Sequence, residues 1–158
     1  MKRSAFTLAE VLVAIILLGI AIVAILGTNT VLTQSNAAGL ELSTADFLSE
    51  QIKELTMLLP AQDPGTGTSY FGSEETGFAN WDDIDDFDDA SFCPPINADR
   101  ETLNMFGEYR QEVTVQNVSS TNFANVVADN TTAFLKVTVT VWFNSKPVST
   151  VSWIRARY

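Results

Sequence analysis

Hydrophobic and polar positions fall into three regimes along this chain. From Val11 to Leu40 no charged residue occurs, and Val11–Gly27 holds only Val, Leu, Ile, Ala and Gly. As a helix those seventeen positions rise about 26 Å, close to the hydrocarbon thickness of a bilayer. The spacing then becomes amphipathic. Leu40, Phe47, Leu48, Ile52, Leu55 and Leu59 share one helical face, while Glu41, Asp46, Glu50, Lys53 and Glu54 mostly fall elsewhere. Pro60 stops the run, since proline breaks a helix and disfavours it one residue earlier. Phe6–Leu59 is thus expected to form one helix of 54 residues, about 80 Å long, with room for a bend in polar Thr28–Asn36. Gln62–Gly77, rich in Gly, Ser and Thr, is expected to be a loop.

Beyond that loop the period changes to two. Strands are expected over Tyr109–Val118, Leu135–Phe143 and Val148–Arg157, with a turn at Asn144–Pro147. In the first, Val113 and Val115 take one face and Arg110, Glu112 and Thr114 the other. Consecutive strands on short connections make an antiparallel meander that packs one face on the helix. The expected fold class is therefore α+β. It comprises a membrane helix over 6–27, an amphipathic continuation over 28–59 and a head over 60–158, whose C-terminal meander spans 109–158.

Composition narrows the function. The chain has 158 residues and a net charge of −10, with no histidine and one cysteine. A nucleic-acid binder would need a basic face to meet phosphates. Without histidine there is no Ser-His-Asp or Cys-His machinery and no His-ligated metal. One cysteine makes neither an internal disulfide nor a zinc cluster, and Cys93 is expected to be buried. Asn117-Val-Ser and Asn130-Thr-Thr match glycosylation sequons, which such short strings do by chance.

Lys2 and Arg3 precede the apolar run and should stay cytoplasmic. Three ordinary fates compete for such a segment. One is a signal peptide cut near Ala21, Ala24 or Gly27, one a single-pass anchor, and one a buried core helix, for which the rest of the chain is too small. Glu10 heads the run, where a carboxylate is costly unless it has a partner or sits at the interface near a helix N-terminus.

Residues 4–18 read Ser-Ala-Phe-Thr-Leu-Ala-Glu-Val-Leu-Val-Ala-Ile-Ile-Leu-Leu. This string resembles the class III signal of type IV pilins and type II secretion pseudopilins. The resemblance implies a leader over 1–5, removed by a prepilin peptidase between Ala5 and Phe6, and methylation of the new amine of Phe6. Ala5 stands where the family prefers glycine. Glu10 matches the glutamate that, in the family, neutralises the N-terminal amine of a neighbouring subunit during assembly. Gly19 and Gly27 are open to two readings, helix loosening in a filament or close packing in the membrane. The resemblance also implies a pilin head, a long helix wrapped by an antiparallel sheet.

The third regime is acidic. Asp82, Asp83, Asp85, Asp86, Asp88 and Asp89 crowd eight positions, and residues 74–101 hold ten of the 19 acids. Three readings stay open: a calcium site, since hard oxygen ligands suit that ion; a solvated loop anchored by Trp81, Ile84, Phe87 and Phe92; or a docking surface for another subunit. The spacing is not that of an EF-hand. The Asp-Asp-Ile-Asp-Asp-Phe-Asp string also resembles a segment in minor pilins of the mannose-sensitive haemagglutinin type.

The expected function is a minor pilin. It would start in the inner membrane with its N-terminus cytoplasmic and enter an extracytoplasmic filament with other pilin or pseudopilin subunits. A minor pseudopilin of a type II secretion system is the near alternative. A membrane-anchored binding module, with calcium as its candidate cofactor, is the distant one. Catalysis is not expected, because nothing in the sequence distinguishes one carboxylate of the string from the next.

Overall fold

The computed structural model describes residues 7–63, 65, 71–73 and 75–157. One helix, α1, runs from Leu8 to Met57. Four strands follow: β1 (Ser91–Phe92), β2 (Tyr109–Asn117), β3 (Phe134–Phe143) and β4 (Lys146–Ala156). They form one antiparallel sheet in the order β1-β2-β3-β4. The architecture is the expected α+β. The chain divides into two compact units, Met1–Leu40 and Glu41–Tyr158.

In the first unit every described residue is exposed, including the whole Val–Leu–Ile run. The N-terminal part of α1 is long and apolar enough to cross a membrane. Thr28, Thr30 and Thr33 each return a hydroxyl hydrogen bond to the carbonyl four residues back. Thr28–Asn36 is helical throughout, so its polarity does not interrupt α1.

In the second unit the last turns of α1 pack on the sheet. Leu48, Ile52 and Leu55 are buried as the periodicity predicts, but Leu40 and Phe47 are exposed. The covered face is centred instead on Ala45, Leu48, Ser49, Ile52 and Thr56. Polar Ser49 and Thr56 are tolerated there because their hydroxyls bond to Ala45 O at 3.0 Å and Ile52 O at 2.9 Å. The Phe47 ring lies at the margin, 6.2 Å from Phe106. The helix ends two residues before the expected Leu59, and Leu58 and Leu59 tighten into bonds to carbonyls three residues back. The Arg155 guanidinium caps this end, donating to Met57 O at 3.4 Å and Leu59 O at 3.1 Å.

Strict alternation on β2 and β3 turns Val113, Val115, Leu135, Val137, Val139 and Val141 into one core with the helix. β2 also points Gln111 and Asn117 inward. Each is satisfied. Gln111 Nε2 donates to Leu48 O and Ile96 O, and its Oε1 accepts from Ile96 N at 2.8 Å. Asn117 Nδ2 donates to Thr132 O and Phe134 O. The side chain of that sequon is therefore fully buried.

The β3–β4 turn is tighter than expected. Asn144 and Ser145 take φ of 48° and 64°, the left-handed pair that matches the twist of a two-residue hairpin. β4 then starts at Lys146, with Pro147 opposite Trp142 across a bulge. Proline fits because β4 is the sheet edge, where a missing N–H breaks no ladder. Cys93, expected to be buried, is exposed. Phe92 turns inward beside it, so the next side chain in the alternation turns out.

Candidate functional site

Two places carry the residues singled out in the sequence. The cleavage pair Ala5 and Phe6 lies outside the described residues. Glu10 occupies the first turn of α1. Its Oε2 accepts from Thr7 N at 2.8 Å and from Thr7 Oγ1 at 2.9 Å, and Thr7 Oγ1 accepts from Glu10 N at 3.3 Å. Thr7-Leu8-Ala9-Glu10 is thus a reciprocal capping box. It satisfies two of the amides that every helix start leaves open, and it sets a negative charge on the positive end of the dipole. Gly19 and Gly27 are helical, and a Cβ added at either would meet nothing within 4 Å.

The acidic string is the second place, and it is not a solvated loop. Asp83, Asp85 and Asp86 are 1%, 4% and 1% exposed, whereas Asp82 and Asp89 face solvent and Asp88 lies between. The aromatic anchors explain the inversion. Ile84 and Phe87 are fully buried, and Phe78, Trp81, Phe87 and Phe92 stack edge-on or tilted at 5.0–6.5 Å. A short 3₁₀ turn over Asp85–Phe87 then carries the intervening carboxylates inward with the rings.

Backbone amides receive much of this buried charge. Asp86 Oδ2 accepts from Asp82 N at 2.8 Å and Asp83 N at 3.2 Å, and Asp83 Oδ1 accepts from Asp86 N at 3.1 Å. Asp85 Oδ2 accepts from Gly72 N, and Asp88 Oδ1 accepts from Val115 N at 2.8 Å. The last bond ties the segment to the sheet.

The rest appears as raised carboxyl pKa values. Burial, then the neighbouring Asp85 charge, pushes the Asp83 carboxyl from 3.8 to about 8. Burial also raises Asp85, although the hydrogen bond from Asp83, the Gly72 amide and the Arg157 charge oppose it. Glu75 is raised chiefly by its hydrogen bond to the Asp86 carboxyl. The arrangement is two close carboxyl pairs, Asp83 with Asp85 and Glu75 with Asp86, and in each the first member is raised above the usual carboxylate range.

The six aspartates do not converge on one centre. Asp85 turns to Gly72, Asp88 to β2 and Asp89 to solvent. Among the described residues, Glu75, Asp82 and Asp86 bring one oxygen each within 4.8 Å of one another. Glu75 was not among the candidate ligands. Its sequence distance hid it, and only the fold returns residue 75 to the string.

The chain matches the prokaryotic N-terminal methylation motif over residues 1–26. No curated protein and no solved structure matches it. The motif supports a precursor of the type IV pilin or pseudopilin kind. The long N-terminal helix with a four-stranded antiparallel sheet is a pilin-like architecture.

Proposed function

We propose that this chain is a minor subunit of a type IV pilus-like filament. It is cut between Ala5 and Phe6 by a prepilin peptidase, methylated at Phe6, and assembled from the inner membrane through α1. The observation that carries this is the methylation motif running directly into an apolar helix with every described residue through Leu40 exposed. So much apolar surface needs lipid or other helices around it. Transfer from one to the other exchanges similar surroundings, so the subunit leaves the membrane at little cost in apolar burial.

Glu10 supports the same reading at the start of the helix. Its carboxylate lies on the exposed first turn, where the amine of a neighbouring Phe6 can meet it. The capping box makes the test sharper. Glutamine at this position keeps the reciprocal cap but removes the charge. Mass spectrometry of the mature N-terminus should find methylated Phe6, and Glu10→Gln should abolish filament incorporation as fully as Glu10→Ala. An intact Met1 would refute the proposal, and incorporation of the glutamine variant would leave Glu10 as a cap alone. Loss of protein secretion on deletion, with surface filaments intact, would move the subunit to a type II secretion system.

A second reading for the head is calcium binding by Glu75, Asp82 and Asp86, favoured by the closeness of their oxygens. Millimolar calcium should then raise the melting temperature, and a Glu75→Gln variant should lose that rise. An unchanged melt removes the reading.

A further inference from the structure

We infer that the cavity between the end of α1 and the end of β4 is a carboxylate-binding site for an acidic segment of a neighbouring subunit, held by Arg155 and Arg157. The cavity measures about 710 Å³, and Leu59, Pro60, Asp63, Arg155 and Arg157 are among its walls. All lie within the head unit. Arg155 lies on β4 and Arg157 just beyond its end at Ala156, and both line the cavity.

Their guanidiniums are only partly used. Arg155 spends its two terminal nitrogens on Met57 O and Leu59 O. Arg157 donates from Nη2 to Asn130 Oδ1 at 2.6 Å. The Nε of each is buried without an acceptor. The ion pairs among the described residues are Lys53–Glu50 and Arg110–Glu112, so neither arginine forms one. The chain has 19 acidic and nine basic side chains, so carboxylates are in excess and uncommitted arginines are not expected. Asp63 shares the wall, but its Oδ1 accepts from Gly65 N. The Arg157 charge does reach Asp85, where it favours the ionised form.

The charge distribution identifies the occupant. From residue 130 onward the chain holds Lys136, Lys146, Arg155 and Arg157 and no acidic side chain; all 19 acids precede it. A guanidinium attracts a carboxylate through its fixed positive charge and charge-assisted hydrogen bonds. Carboxylates of the required kind are displayed by this chain itself, at exposed Asp82 and Asp89. The identity of the partner as a subunit rests on the filament reading above; the site does not.

The test uses the full chain in neutral detergent, titrated with a peptide of sequence Asp-Asp-Ile-Asp-Asp-Phe-Asp-Asp, its all-Asn analogue, and inorganic phosphate. The protein is itself strongly acidic, so diffuse attraction for an acidic peptide is excluded and saturable binding reports a site. The aspartate peptide should bind and raise the melting temperature, and the Asn analogue should not. Arg157→Gln should weaken binding at least about tenfold, with Arg157→Lys restoring part of it. Circular dichroism of each variant checks the fold. Equal binding by the Asn peptide, no saturable binding, or binding of phosphate alone would overturn the inference. Methylated Phe6 in a chain that fails to bind the peptide sinks the site and spares the filament. Binding by a chain whose Met1 is intact keeps the site and removes its assigned partner.

Discussion

At the scale of single residues, the acidic string behaves against the usual expectation for carboxylates. Asp83 has a folded pKa raised to about 8 from an ordinary 3.8, and Asp85 and Asp88 are raised in the same direction by burial. Between those two values the folded state binds more protons than the unfolded state, so stability falls as pH rises. The contribution is complete below about pH 4 and lost by about pH 8. Thermal melts should therefore show a higher midpoint at pH 5 than at pH 8, and Asp83→Asn should flatten the difference; a midpoint that climbs with pH would contradict it. Gln111 is the other residue whose role the sequence hid. Gln111→Ala strips partners from Ile96 N, Ile96 O and Leu48 O together, and should cost about 2–4 kcal/mol in urea titration. The string's composition was plain to read, but its solvation was not. Alternation of charge and aromatic residues does not say which set the backbone turns inward, and here the ring cluster decides.

At the scale of elements, the period-two runs located β2, β3 and β4 to within about two residues of their observed bounds, because alternation and burial are the same fact on a one-sided sheet. β1 escaped, since two residues carry no period. The helical face was also displaced. Leu40 is exposed, so its place in the periodicity marks no buried face. Ile52, fully buried where helix meets sheet, should cost about 2–5 kcal/mol on substitution by alanine. The β3–β4 turn is open to improvement instead. Ser145 holds a left-handed φ of 64°, which a side chain disfavours by about 1–2 kcal/mol, so Ser145→Gly should raise the unfolding free energy by up to about 1 kcal/mol.

At the scale of the whole molecule, opposing properties are assigned to separate units. The apolar surplus lies in Met1–Leu40 and nearly all the charge in Glu41–Tyr158. Loss of Lys2 and Arg3 with the leader would leave seven basic against 19 acidic side chains, or −12. Glu10 makes its hydrogen bonds within the first turn, so Glu10→Gln should leave the urea midpoint of the head unmoved while filament incorporation is lost. The motif at the N-terminus was legible because it is a string; the arginine-lined cavity was not, because its walls come from residues about a hundred positions apart. The inward amide of Gln111 has a final consequence, for which sheet can form. If β2 slid by one residue against β3, every side chain on it would change faces. The amide would go to solvent, and Ile96 N, Ile96 O and Leu48 O would lose the partner it gives them at once. A mispaired sheet is thereby lifted well above the native one in free energy, and a strand of interchangeable valines acquires a single permitted alignment.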